Sequence, residues 1–143
     1  MEQMSTKLCN SMLDTGSLKA AFTNMELRIY SGTIPATADA AITGTKIAVV
    51  KNGASYATFG SASGGVLGIN GTETWSDTSA VGGVATHYRL VSHADDDGAT
   101  GSTYPRIQGT VGVGGADMNV GTTTIGATSS FPVNTFTQAL IPS

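Results

Sequence analysis

From Met25 onward the chain is written in period two, and its runs are short. In "MELRIY", Met25, Leu27 and Ile29 alternate with Glu26, Arg28 and Tyr30. In "VATHYRLVSHA", residues 84–94, Tyr88 and Leu90 alternate with His87, Arg89, Val91 and His93. Alternation of this kind sends the two sets to opposite faces of a β-strand. "KIAVVK" (46–51) is a nearly continuous apolar run, as in a buried strand. "GGVLGIN" (64–70), "YPRIQGTVGVG" (104–114), "TTTIGAT" and "PVNTFTQALI" (132–141) read as further strands. Ile107, Val111 and Val113 group together in the second of these, and Phe136 and Leu140 share a face in the last. Turn signals divide the runs: "KNGA", "NGTE", "DDDG" and "GGAD". Asn-Gly is the strongest short hairpin cue. Roughly seven or eight short strands, about ten residues apart, predict an all-β fold, a single β-sandwich or jelly-roll-like domain. A length of 143 residues fits one domain with a core that needs no staples.

Residues 1–24 follow a different period. Met4, Leu8 and Met12 recur every four residues, one apolar stripe on a short helix. Ser5 or Thr6 is placed to cap it and Gly16 to end it, with a second short turn in "SLKAAFTN". The chain therefore divides into an N-terminal helical arm, 1–24, and a β-domain, 25–143. So short a helix needs a surface to lie on, either its own domain or a neighbouring subunit.

Composition removes several functions. Charged residues make up 12% of the chain, about half the usual share. The net charge is -3 and no basic run exists, so the footprint of a nucleic-acid binder is missing. No stretch of 18 apolar residues suggests a membrane span. The opening "MEQMSTKLCNSMLDTG" lacks the basic and apolar regions of a signal peptide, which predicts a product made and kept in a cytoplasm. Cys9 is the only cysteine, so no disulfide forms within the chain; beside an apolar helix face it reads as a buried, inert thiol. A surface this poor in charge points to contact with other protein.

Little in the sequence can do chemistry. His87 and His93 share a strand face but stand about 20 Å apart along it, too far to share a metal. Asp95, Asp96 and Asp97 precede Gly98 without the spacing or the closing Glu of a calcium loop, and read as a turn. A weak ion site is the alternative. The glycines of "GTVGVGGAD" do not open a helix, so they make no phosphate cradle. Trp75, in "GTETWSDTS", reads equally as an exposed interface anchor or as a cap on one end of the core, with carbohydrate stacking a third reading. No cofactor is expected.

One segment remains. "LRIYSGTIPATADAAITGTK", 27–46, breaks from a strand at Gly32, passes Ile34, Pro35 and a tract of Ala and Thr, and resumes as a strand. The motif Ile29 to Ala38, the tract "GGVLGING" and "IQGTVGVGGADMNV" (107–120) resemble segments of small virion proteins of tailed bacteriophages. The likeness runs from about Leu8 to Phe136. The family pattern has Leu-Leu after the Thr of the elbow where this chain has Lys46-Ile47. The resemblance implies a non-enzymatic structural protein of the particle, made in the host bacterial cytoplasm and carried in the virion. It implies a capsid decoration or cement protein that bridges major capsid subunits as a dimer or trimer. A tail or head-tail component, or a receptor-binding module that takes carbohydrate, is the alternative. An enzyme built on His87, His93 and Asp95 to Asp97 is the least supported. The expected contacts are Met4, Leu8 and Met12 on the helix, Ile34 and Pro35 in the elbow, and Trp75.

Overall fold

The computed structural model describes residues 1–139. In chain order the elements are β1 (Gln3–Met4), α1 (Thr6–Asp14), α2 (Leu18–Ala21), β2 (Met25–Ser31), β3 (Thr45–Asn52), β4 (Val66–Gly68) and β5 (Trp75–Asp77). They continue as β6 (Gly83–Val84), β7 (His87–Ser92), β8 (Arg106–Gly112), β9 (Met118–Asn119), β10 (Thr124–Ile125), β11 (Phe131–Val133) and β12 (Thr137–Ala139). The fold is an all-β single domain with a short N-terminal helix. One principal sheet has the order β1-β8-β7-β2-β3-β5-β11, antiparallel throughout, with β9 adding in parallel beside β8. Two ribbons, β10-β6 and β12-β4, stand apart from it.

The predicted alternation decides the layers. Met25, Leu27 and Ile29 of β2, Tyr88 and Leu90 of β7 and Ile107 of β8 turn to one face and are buried. Phe22, Phe59, Leu67 and Phe136 cover that face, and Trp75 at the far side of the sheet stacks on Phe136 at 6.1 Å. The facing layer is thus a ribbon, loops and the helices rather than a second extended sheet. Gly109 leaves room for Tyr88, whose ring would lie 2.7 Å from any Cβ placed there. Leu140, expected on the face of Phe136, lies outside the described residues.

Residues 1–24 pack on their own domain. β1 pairs with β8, Gln3 opposite Gln108 and Met4 opposite Ile107. Ser5 caps α1 by accepting from Leu8 N at 3.3 Å, and its hydroxyl also takes Arg106 N at 2.9 Å and donates to Tyr104 O at 3.0 Å. The cap is therefore stitched to β8 as well as to the helix. Leu8 is buried in the core and Met12 packs against it. Cys9, one residue round from Leu8, is turned outward and exposed, against the expectation of a buried thiol.

β2 is buried on both faces, and this is what positions the rest. A bulge in β3 lets Tyr30 pair with Lys46 while Ile29 pairs with Ala48, so Ile47 is the extra residue and both Ile47 and Ala48 turn inward. The second face of β2, β7 and β8 carries Glu26, Arg28, Tyr30, His87, Arg89, Arg106 and Gln108, all buried. Two loops close over it: the elbow between β2 and β3, and the Asp95–Asp97 loop after β7. The elbow is pinched at its base. Gly32 sits at φ +93°, and a side chain at Gly44 would collide with the backbone of Ser31.

Candidate functional site

The covered polar face is a layer of paired charges. Arg106 meets Asp95 through two bonds, Nε to Oδ2 at 2.6 Å and NH2 to Oδ1 at 2.7 Å, with both side chains fully buried. Arg28 donates to Glu26 at 3.0 Å and to Asp97 at 2.9 Å. Tyr30 donates to Asp97 at 2.6 Å, and Lys46 closes the group at 3.0 Å. Arg89 has no carboxylate within ion-pair distance among the described residues: it donates to Gln108 Oε1 at 2.8 Å and Ala40 O at 2.7 Å. The elbow supplies further carbonyls, Pro35 O to Gln108 at 2.9 Å and Ala38 O to Arg106 at 3.2 Å. Its small residues let its backbone lie directly on the sheet, and its exposed peptide groups become the partners of buried guanidinium groups. All three arginines of the chain are used in this layer.

The environment shifts several of these groups. Burial opposes the charge of Asp97, but the Tyr30 hydrogen bond, the Arg28 charge and the Lys46 and Arg28 hydrogen bonds outweigh it and hold the carboxyl below its ordinary range. Burial pushes the Tyr30 phenol up, and its bond to Asp97 adds to the shift. Burial, then the neighbouring Arg89 charge, pulls His87 down to about 4, so its ring is neutral near pH 7. His87 stacks on Tyr30 at 5.2 Å with the rings 13° apart. Burial and the nearby Arg106 lower Arg89. Among the described residues, His87 Nε2 and Arg89 NH1 are the two buried side-chain atoms without a hydrogen-bond partner. Apart from these two atoms, the layer is held together by its own ion pairs and hydrogen bonds.

The six expected contact residues do not form one patch. Met4 is 38% exposed and lies with Met12 in a groove. Leu8 is buried in the core and is no surface contact in this fold. Ile34 and Pro35 are half-buried in the elbow, over the polar layer. Trp75 is 1% exposed and packs in the core, so the reading as a cap on one end of the core holds, and neither an exposed anchor nor a stacking platform fits it. It lies in β5, in a tract read as turn, and its indole N–H donates to Glu73 at 2.9 Å. His87 is buried, whereas the side chain of His93 is 56% exposed, held by Glu26 at 2.8 Å and set against Tyr56 at 4.6 Å between ring centres. Asp95 and Asp97 are spent on arginines, which the turn reading did not foresee. The signal for it is present: polar residues at alternate positions of three strands, with all three arginines among them, in a chain that has few charges.

Two open features remain. A groove of about 450 Å³ runs between the N-terminal helices and the β4-β12 ribbon, lined by Met4, Met12, Leu18, Leu67 and their neighbours. Leu13 beside Met12 is 88% exposed and Val66 beside Leu67 is 39% exposed. On the other face, where the elbow stops, a polar cleft of about 520 Å³ opens over β2, β3 and β5. Among the described residues no group of three or more His, Cys, Asp or Glu stands close enough to hold a metal, and no helix is long and apolar enough to cross a membrane. Compared with protein-family models, curated proteins and solved structures, the chain matches none of them.

Proposed function

We propose that this chain is a non-enzymatic structural protein of a tailed bacteriophage particle, a decoration or cement protein that bridges major capsid subunits. The observation that carries the reading is the division of the surface. Arginines, buried carboxylates and His87 lie inside the polar layer, while an apolar groove lined by Met4, Met12, Leu18 and Leu67 stays open, and Leu13 and Val66 are exposed elsewhere on the same elements. A surface of this kind marks a protein contact. Methionines at the groove suit a contact that must adapt to more than one lattice environment. Repetition over a symmetric shell turns a modest contact into firm attachment. The resemblance of the 27–46 and 107–120 segments to small virion proteins agrees with it.

The partner in this reading is the major capsid protein, and the chain acts as a dimer or trimer in the virion. The test mixes purified protein with expanded shells that lack it, and separately with tails that lack it, followed by sedimentation and imaging. Saturable, regular occupancy of shells supports the cement role. Binding confined to tails or to a shell vertex replaces it with a tail or head-tail role. The polar cleft favours a second reading, a receptor-binding module of the particle; with Trp75 buried, such a module would recognise its ligand through polar groups.

A further inference from the structure

We propose that the cleft over β2, β3 and β5 is a binding site for an oxyanion: a carboxylate, phosphate or sulfate group carried by a small molecule. Its volume of about 520 Å³ is within the range of small-ligand sites. The acceptors in its wall are already engaged. Glu26 accepts from His93 Nδ1 at 2.8 Å on one oxygen and from Arg28 Nε at 3.0 Å on the other. Asp77 accepts from Val49 N at 2.7 Å on Oδ2, and from Ser79 N at 2.7 Å on Oδ1. The donors are not engaged to the same degree. Among the described residues, Lys51 takes part in no ion pair. Lys46 gives one bond to Asp97 and has two further N–H groups to offer.

The strand register brings these donors to one side of the sheet. Lys51 pairs with Ser76 across β3 and β5, and the pairing of Leu27 with Val50 sets it beside Glu26. A ligand entering the cleft therefore meets the ammonium groups of Lys46 and Lys51 and the hydroxyls of Ser76 and Thr78, while Glu26 and Asp77 each already accept hydrogen bonds on both carboxylate oxygens. The complement of that surface is an anionic oxygen, held by charge-assisted hydrogen bonds.

The test is an amide-shift titration of the full chain at low ionic strength, with inorganic phosphate and glucuronate as probes. Saturable shifts at Lys51, Ser76 and Thr78 are expected. K51Q should weaken binding about tenfold, while K7Q, on the distant helix α1, should bind like the wild type. Tighter binding of glucuronate assigns the site to an acidic sugar, and tighter binding of phosphate to a phosphate-bearing molecule; both support the oxyanion site. Absence of saturable shifts in the cleft with both probes, or equal affinity in K51Q and wild type, overturns it. The wild-type titration decides the matter even if K51Q fails to fold.

Discussion

At the scale of single residues, the Arg106–Asp95 pair is the most consequential contact, because neither charge reaches solvent. Removing one partner leaves the other charge buried and uncompensated. R106M is expected to lower stability by about 3–5 kcal/mol, read as a shift in the urea midpoint with an unchanged slope. The double variant R106M/D95L should recover part of that loss, since no lone charge remains. His87 gives a pH prediction. Its folded value, about 4, lies below the unfolded value of 6.5, so the unfolded chain takes up a proton first as pH falls. Stability is full above about pH 6.5 and declines down to about pH 4. Asp97, held below its ordinary range, extends the loss further into acid. Unfolding midpoints measured from pH 7 to pH 4 should fall, and H87Q should flatten that part of the curve. A flat wild-type profile would contradict the buried neutral ring.

At the scale of elements, the elbow works as a lid for the sheet's polar face. Its base depends on two glycines with different demands: a positive φ at Gly32 and a lack of space at Gly44. G44V is therefore expected to be more damaging than G32A. The positive-φ strain of G32A costs about 1–3 kcal/mol, whereas the side chain of G44V must displace the backbone of Ser31. Hydrogen exchange should show Ile42 N–H, bonded to Asp97 O, losing protection in G44V before the amides of β2 do. The alternation of β2 and β7 is readable from sequence and separates their core face; in β8 it holds for Ile107 and Val111, but Val113, grouped with them, lies past the strand end and is 67% exposed. What it could not give was the fate of the other face. Glu26, Arg28 and Arg89 look like a solvated stripe until the elbow and the Asp95–Asp97 loop fold over them. Arg28 finds Asp97 from 69 residues away and Arg106 finds Ala38 from 68, and no local pattern encodes such distances. For Trp75 the core reading holds and the exposed-anchor reading does not, and the local sequence does not choose between them because a three-residue strand is too short to show a period.

At the scale of the molecule, the N-terminal stretch belongs to the domain it precedes. β1 completes the sheet beside β8, Leu8 and Phe22 sit in the core, and Glu2 binds Gln138 at 3.0 Å. Deleting residues 1–24 should therefore unfold the domain, seen as loss of the cooperative thermal transition. A truncated chain that melts like the wild type would make those residues a separable arm after all. The helix itself is legible from Leu8 and Met12, but Met4, expected on the same stripe, lies before the Ser5 cap and pairs with Ile107 as part of β1. The domain takes Leu8 and leaves Met4 and Met12 at the groove, with Leu13 beyond them. That remaining strip is the contact on which the proposed role depends. The most direct measurement is shell occupancy of L13D beside wild type, since Leu13 is 88% exposed and its change should not disturb the core. An unchanged melting temperature and loss of saturable binding to capsid shells are expected. Wild-type occupancy by a folded L13D would contradict the proposed role.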